Sequence, residues 1–177
     1  MKTLVIVAHP DLTNSRINRT WMHAFQQQEN VMVHDLYAAY PDFKIDVKRE
    51  QELLMAHDRI VLQFPFFWYS SPALLKLWQD EVLAYGWAYG QAGTRLHGKE
   101  LLLAFSTGGP AEAYQPSGLN RFTFDQLTTP FQAMANLTGM TFLPPYILSG
   151  VRTLSDEALA KATASLIEQT LQVPIRK

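Results

Sequence analysis

The run Lys2-Thr3-Leu4-Val5-Ile6-Val7-Ala8, broken off by His9-Pro10-Asp11-Leu12-Thr13-Asn14-Ser15, sets the pattern for the whole chain. A β-branched, apolar segment bounded by turn residues is a strand, and this one stops too soon to be the core of a signal peptide. The next segment is a helix: Ser15 is placed to cap it, and Ile17, Trp21, Ala24 and Phe25 recur at helical spacing. Strand, short loop and helix in succession form the unit of a parallel sheet.

The same alternation continues to the end of the chain. A short strand, Val31 to His34, precedes a helix from Val47 to His57, whose Leu53 and Leu54 are apolar and whose Lys48, Arg49, Glu50 and Glu52 read as solvated. A buried strand from Arg59 to Phe64 ends at Pro65. Pro72 then suits the first turn of a helix reaching Tyr85, with Leu74, Leu75, Leu77, Trp78, Val82 and Leu83 apolar. A fourth strand spans Glu100 to Thr107. A helix around Phe124 to Leu137, a strand from Met140 to Leu148 bent by Pro144-Pro145, and a helix opened by Ser155 with Asp156-Glu157 in its first turn complete the chain. No linker or repeat interrupts these five strands and five helices, so residues 1–177 read as a single α/β domain. Right-handed crossovers and short connections restrict such a chain to a doubly wound parallel sheet with helices on both faces. Five βα units suit the flavodoxin-like strand order 2-1-3-4-5.

Composition narrows the function classes. With 177 residues, the chain can bury roughly 70% of its unfolded surface and needs no staple to fold. It has no cysteine, which excludes disulfide scaffolds, thiolate zinc sites and cysteine nucleophiles and fits a reducing compartment. Lys plus Arg number 15 against 16 Asp plus Glu, so no basic field exists to hold nucleic acid. The longest uncharged stretch, Ile60 to Leu75, is interrupted by Gln63, Pro65, Ser70, Ser71 and Pro72 and cannot supply the ~20 apolar residues of a membrane helix. A cytoplasmic protein is expected.

In an open α/β sheet the ligand lies beyond the carboxyl ends of the strands at the switch point, here the loops after strands one, three and four. The first, His9 to Asn18, sets hydroxyl, amide and guanidinium donors beside the free N–H groups of a helix N-terminus, which favours a phosphate. The second, Phe64-Pro65-Phe66-Phe67-Trp68-Tyr69-Ser70-Ser71-Pro72, strings four aromatics through a loop and suggests a flat ring as ligand. The third, Ser106-Thr107-Gly108-Gly109-Pro110, lets backbone N–H groups approach a ligand closely, with Tyr114 close behind. Each loop alone has a plain structural reading: an N-cap, an apolar plug, a tight turn. Their shared address gives them weight.

Other chemistries fail at the same positions. There is no G-x-G-x-x-G, no P-loop and no G-x-S-x-G elbow, and the five histidines show no close metal-ligand spacing, so no metal site is expected. Gln63-Phe64 and His9-Pro10 stand where a receiver domain would need acidic residues.

Taken together, His9-Pro10 with Asn14-Ser15, Gln63-Phe64-Pro65 through Trp68-Tyr69, Pro72-x-x-Leu75-Lys76-x-Trp78-x-Asp80, Gly86-Trp87-Ala88-Tyr89-Gly90 and Thr107-Gly108-Gly109 resemble the NAD(P)H:quinone oxidoreductase family of flavodoxin-like flavoproteins. The resemblance is greatest to its short bacterial members, which include general stress protein 14 and the ancillary subunits of Kef potassium-efflux systems. It implies hydride transfer from NAD(P)H through a flavin to quinone-like acceptors by a ping-pong route. FMN is the expected cofactor and FAD the alternative. By resemblance, His9 with Ser15, Arg16, Ile17 and Asn18 holds the flavin phosphate and ribityl chain. Phe66, Phe67, Trp68 and Tyr69 hold and wall the ring, while Ser106, Thr107, Gly108 and Gly109 bond its pyrimidine edge. Trp68, Tyr89 and Tyr114 border the substrate pocket, with Tyr89 often supplied by the partner subunit of a homodimer. The apolar breadth of the Pro72 to Tyr85 helix points to a homodimer as well. Longer relatives use a tyrosine and a histidine six residues apart to shuttle charge; Tyr114 matches the first, but Asn120 stands at the second and has no proton to exchange near neutral pH. Two rival roles stand beside that of an oxidoreductase: a flavodoxin-type electron carrier, which would share the fold, and, by the likeness to the Kef ancillary subunits, a regulatory flavoprotein at the inner membrane face, bound to a potassium-efflux transporter.

Overall fold

The structure is a computed structural model, and it describes residues 1–171. In chain order its elements are β1 (Thr3–Val7), α1 (Arg16–Gln26), β2 (Val31–Asp35), α2 (Leu36–Ala39), α3 (Val47–Met55), β3 (Arg59–Pro65), α4 (Ala73–Val82), β4 (Glu100–Ser106), α5 (Phe124–Leu127), α6 (Thr129–Thr138), β5 (Thr141–Phe142), β6 (Tyr146–Leu148) and α7 (Asp156–Leu171). All strand pairs are parallel and the order is β2-β1-β3-β4-β5, with β6 also against β4, so the expected topology holds.

Strand alternation divides the core in two. Leu4, Ile6 and Ala8 of the first strand and its end face Leu36, Leu54, Leu74 and Trp78, on the side covered by α2 to α6. Val5 and Val7 face the other way, toward Ile17, Trp21 and Phe25 of α1 and Leu159 and Leu166 of α7. Both faces of β1 and β3 are dry, which explains their unbroken apolar runs.

Four expectations are corrected. The last strand is not continuous: Thr141–Phe142 pairs with Glu100–Leu101 and Tyr146–Leu148 with Ala104–Ser106, because Pro144 and Pro145 carry no N–H for the ladder. The helix expected over Phe124 to Leu137 is two. A capping box of Thr123 and Gln126 opens α5, and Pro130, which cannot donate to the preceding turn, starts α6. The helix expected to reach Tyr85 takes Pro72 as its N-cap and ends at Val82. Its buried residues Leu74, Leu75, Trp78 and Val82 form one face that this same chain covers, so α4 does not require a partner.

Glu50 is the fourth, and it is fully buried rather than solvated. It accepts hydrogen bonds from His34 Nε2 at 2.9 Å, Tyr40 Oη at 2.6 Å and Trp78 Nε1 at 2.9 Å, which tie β2, the end of α2, α3 and α4 together. Burial alone would raise its pKa, but these donors outweigh that penalty and hold it below 4.5. Helix α2, capped by Asp35, is too short for periodicity to reveal.

Candidate functional site

The three singled-out loops converge on one cleft of about 670 Å³ beyond the carboxyl ends of β1, β3 and β4. From the N-terminal loop, Ser15 caps α1 by accepting from the N–H of Asn18 at 3.3 Å. No acidic residue occupies the first turn of α1, so its dipole is free to favour an anion. His9 packs edge-on against Phe67 at 6.2 Å and accepts the Asp11 N–H on Nδ1 at 3.0 Å. Burial pushes the His9 pKa below 6.5, and the Asp11 carboxylate opposes that shift.

The aromatic loop is locked and strained. The N–H of Phe66 bonds the carbonyl of Ser106 at 2.9 Å, and the Phe66 ring stacks on Phe105 at 4.6 Å. Beyond it the N–H of Ser70 returns to the carbonyl of Phe67 at 3.0 Å, closing a two-residue turn in which Trp68 has φ 48° and Tyr69 φ 62°. Hairpin turns of that hand favour Asn and Gly, and each non-glycine residue held there costs roughly 1–2 kcal/mol. The turn leaves Trp68 92% exposed at the mouth of the cleft.

Beneath the mouth lies a buried polar cluster. Gln63 Nε2 donates to the Asn18 carbonyl at 2.8 Å, and Asn18 Nδ2 donates to Ser106 Oγ at 3.3 Å, linking α1, β3 and β4. The Gln63 Oε1 atom is buried without a partner. In the glycine turn, Thr107 Oγ1 donates to the Gly109 carbonyl, and a Cβ on Gly108 would stand 2.9 Å from Arg152 Nε.

Of the expected site residues, His9, Ser15, Arg16, Ile17, Asn18, Phe66, Phe67, Trp68, Ser106 and Gly108 line the cleft. Tyr69, Thr107, Gly109, Tyr89, Tyr114 and Asn120 do not. Tyr69 donates from its hydroxyl to Asn120 Oδ1 at 3.0 Å, joining the two loops outside the cleft. Tyr114 is buried behind the turn, stacked on Phe124 at 4.1 Å with its ring edge toward Gly109. Tyr89 packs edge-on against Tyr85, in the loop after α4. Three lining residues were given no role from the sequence: Pro65, which lies in the second loop, and Val151 and Arg152. The last two come after β6, and the carboxyl-end rule would have found them had it been applied to the final strand.

A flavin mononucleotide fits this donor set. The volume is that of a small-molecule pocket, one end is a helix N-terminus with a hydroxyl cap, the wall is aromatic, and Gly108 lacks the side chain that would fill the floor.

Comparison with known proteins agrees with the geometry. Residues 1–170 match the family model described as flavodoxin-like fold. Among relatives, the uncharacterised NAD(P)H oxidoreductase YrkL of Bacillus subtilis strain 168 is 53% identical over 95% of this chain and 97% of its own. The glutathione-regulated potassium-efflux system ancillary protein KefG of Enterobacter sp. strain 638 is 45% identical over 90% of this chain and 87% of its own. Solved structures similar to it include an NADPH-quinone reductase from P. pentosaceus, with TM-score 0.90 and 37% identity over 98% of this chain and 100% of that one. General stress protein 14 from Treponema denticola, in complex with FMN, has TM-score 0.87 and 39% identity over 95% of each chain. A chain described as a thermophilic tryptophan halogenase from Streptomycin violaceusniger has TM-score 0.94 and 46% identity over 96% of this chain and 99% of that one.

Proposed function

This chain belongs to the flavodoxin-like fold family, and we propose that it is a single-domain, FMN-dependent NAD(P)H:quinone oxidoreductase. The carrying observation is the cleft itself, where a helix N-terminus, an aromatic wall and a glycine turn meet at the switch point of the sheet. Bound flavin supplies the capacity to take hydride from a nicotinamide and return two electrons to a quinone. The protein's part is position and electrostatics. Ser15 and the first N–H groups of α1 hold the phosphate, Phe66 and Phe67 wall the ring, and the backbone at Ser106 and Gly108 meets its polar edge. Trp68 covers the mouth, where nicotinamide and quinone bind in turn by a ping-pong route. Asn120 cannot carry a proton and its amide oxygen is engaged by Tyr69, so the proton step does not pass through it.

The names of the similar proteins diverge, since one structure carries a halogenase name, and fold alone does not assign activity. The reading rests on the relatives named NAD(P)H oxidoreductase and NADPH-quinone reductase, and on the general stress protein 14 structure, which holds FMN on the same fold. The test is direct. Purified protein is expected to show flavin absorbance and to reduce a quinone with NADH or NADPH, giving parallel lines in double-reciprocal plots. A colourless protein that FMN cannot reconstitute overturns the reading.

A homodimer in the cytoplasm completes it. Trp68, Leu119, Tyr85 and Phe122 are large apolar residues left in the open for a second copy to cover, and by the family likeness the Tyr89 of that copy borders the substrate pocket. The similarity to KefG favours a second reading in which the flavoprotein also sits at the inner face of the membrane on a potassium-efflux transporter. Co-purification with such a transporter tests it. No helix among the described residues is long and apolar enough to cross a membrane itself.

A further inference from the structure

Three basic side chains line the cleft: His9, Arg16 and Arg152. Two of them bring little net positive charge. Arg16 donates to Asp156 Oδ1 through Nη2 at 2.5 Å and Nε at 3.1 Å, so a carboxylate of the same chain already meets its charge. His9 accepts a backbone N–H on Nδ1 and is biased toward the neutral ring by burial.

Arg152 is placed differently. Among the described residues no hydrogen-bond acceptor or carboxylate engages its guanidinium. That group lies against the backbone of the glycine turn, Nε 2.9 Å and Nη2 3.4 Å from the position a Cβ on Gly108 would take. The two residues before it are fixed to the same turn, since Gly150 N–H donates to the Gly109 carbonyl at 2.8 Å and Val151 N–H to the Thr107 carbonyl at 3.2 Å. A guanidinium with free donors, held beside the glycine that lines the cleft, faces whatever flat group lies along that glycine. The phosphate end of a nucleotide has its own donors at the start of α1.

Resting on the flavin reading above, we propose that Arg152 tunes the bound flavin: its guanidinium donates to the polar ring edge beside Gly108 and favours the reduced ring. Hydride brings two electrons and one proton from the nicotinamide, which leaves as its oxidised cation, and the ring thereby gains one negative charge. A cation beside that edge stabilises the reduced form over the oxidised form. A phosphate carries the same charge in both oxidation states, so a contact to it would strengthen both forms equally. This asymmetry makes the proposal testable.

The experiment uses the full chain with FMN and measures dissociation constants for oxidised and, anaerobically, reduced FMN, together with the midpoint potential. Arg152→Gln keeps a planar polar end on a shorter side chain and removes the charge; Arg152→Lys keeps the charge without the planar fork. Arg152→Gln is expected to lower the ratio of reduced to oxidised affinity about tenfold, which is about 30 mV in the midpoint potential of a two-electron couple. Arg152→Lys is expected to lower it by less. An unchanged ratio in both variants overturns the proposal, whether the two affinities fall together, as for a phosphate contact, or do not move. Wild-type protein that binds no flavin overturns the underlying reading instead, so the two failures are distinguishable.

Discussion

Two buried polar clusters lie on opposite faces of the sheet, and the protein finishes one and leaves the other open. Around Glu50, both carboxylate oxygens are used: Oε1 by His34 and Tyr40, Oε2 by Trp78. Around Gln63, the amide nitrogen is used but Oε1 has no partner, at a cost of about 1–3 kcal/mol for a buried acceptor. The second cluster lies under the cleft and beside a turn in which Trp68 and Tyr69 are both held at positive φ. At these two places the contrast is between a saturated carboxylate that pins four elements together and an unmet amide oxygen beside a strained turn at the cleft.

The largest effect is expected at Glu50, where the distinction can be overturned outright. Glu50→Ala leaves three buried donors without an acceptor and is expected to cost about 3–5 kcal/mol in denaturant unfolding, with FMN affinity of the remaining folded protein nearly unchanged. Lost FMN binding at full stability would show that this cluster serves the site. Its acid dependence has a definite sign. Because the folded pKa lies below 4.5, the stability it contributes is present above the unfolded value and is lost as pH falls through the folded one.

The aromatic turn is expected to answer in the opposite direction and by less. Exchanging Trp68→Asn together with Tyr69→Gly supplies the residues such a turn favours and should stabilise the fold by roughly 1–2 kcal/mol while weakening quinone reduction. The check is a thermal melt beside a steady-state assay. Higher stability with unchanged kinetics would sever the link between strain and function.

His9 is expected to give the smallest effect. Its pKa lies below the ordinary 6.5, so it binds fewer protons folded than unfolded, and the stability it adds is present above about 6.5 and fades as pH falls through the folded value. Flavin reduction monitored by stopped flow should be flat toward pH 8, with one weak inflection below 6.5 that His9→Gln removes. An inflection that survives the substitution belongs to another group.

The strands and most of the cleft were legible in the sequence because both obey local rules. An apolar run bounded by turn residues marks the central strands, and the carboxyl-end rule gives the address of the loops. Glu50 was hidden by its neighbours: in Lys48-Arg49-Glu50-Gln51-Glu52 it looks like part of a solvated face, and its partners come from β2, the end of α2 and α4. The available signal was its place four residues before the buried Leu54, on the same helical stripe. The break of the last helix-strand region into pieces was foreshadowed by Pro130 and Pro144-Pro145, but proline announces an interruption without saying how the chain resumes. The position of Arg152 was within reach of the carboxyl-end rule, but its distinction from Arg16 was not. Its significance rests on what it lacks, a carboxylate, and pairing between residues as distant as Arg16 and Asp156 is set by tertiary approach.

The split last strand has a consequence for how this protein behaves in a crowded solution. A sheet edge with a regular row of open N–H and C=O groups is a template on which another chain can add a strand and begin to aggregate. Here the outer edge offers two residues, then an interval holding two prolines, then three residues. No incoming strand can keep register across that gap. The same prolines that interrupt the ladder with β4 thus also break up the open edge.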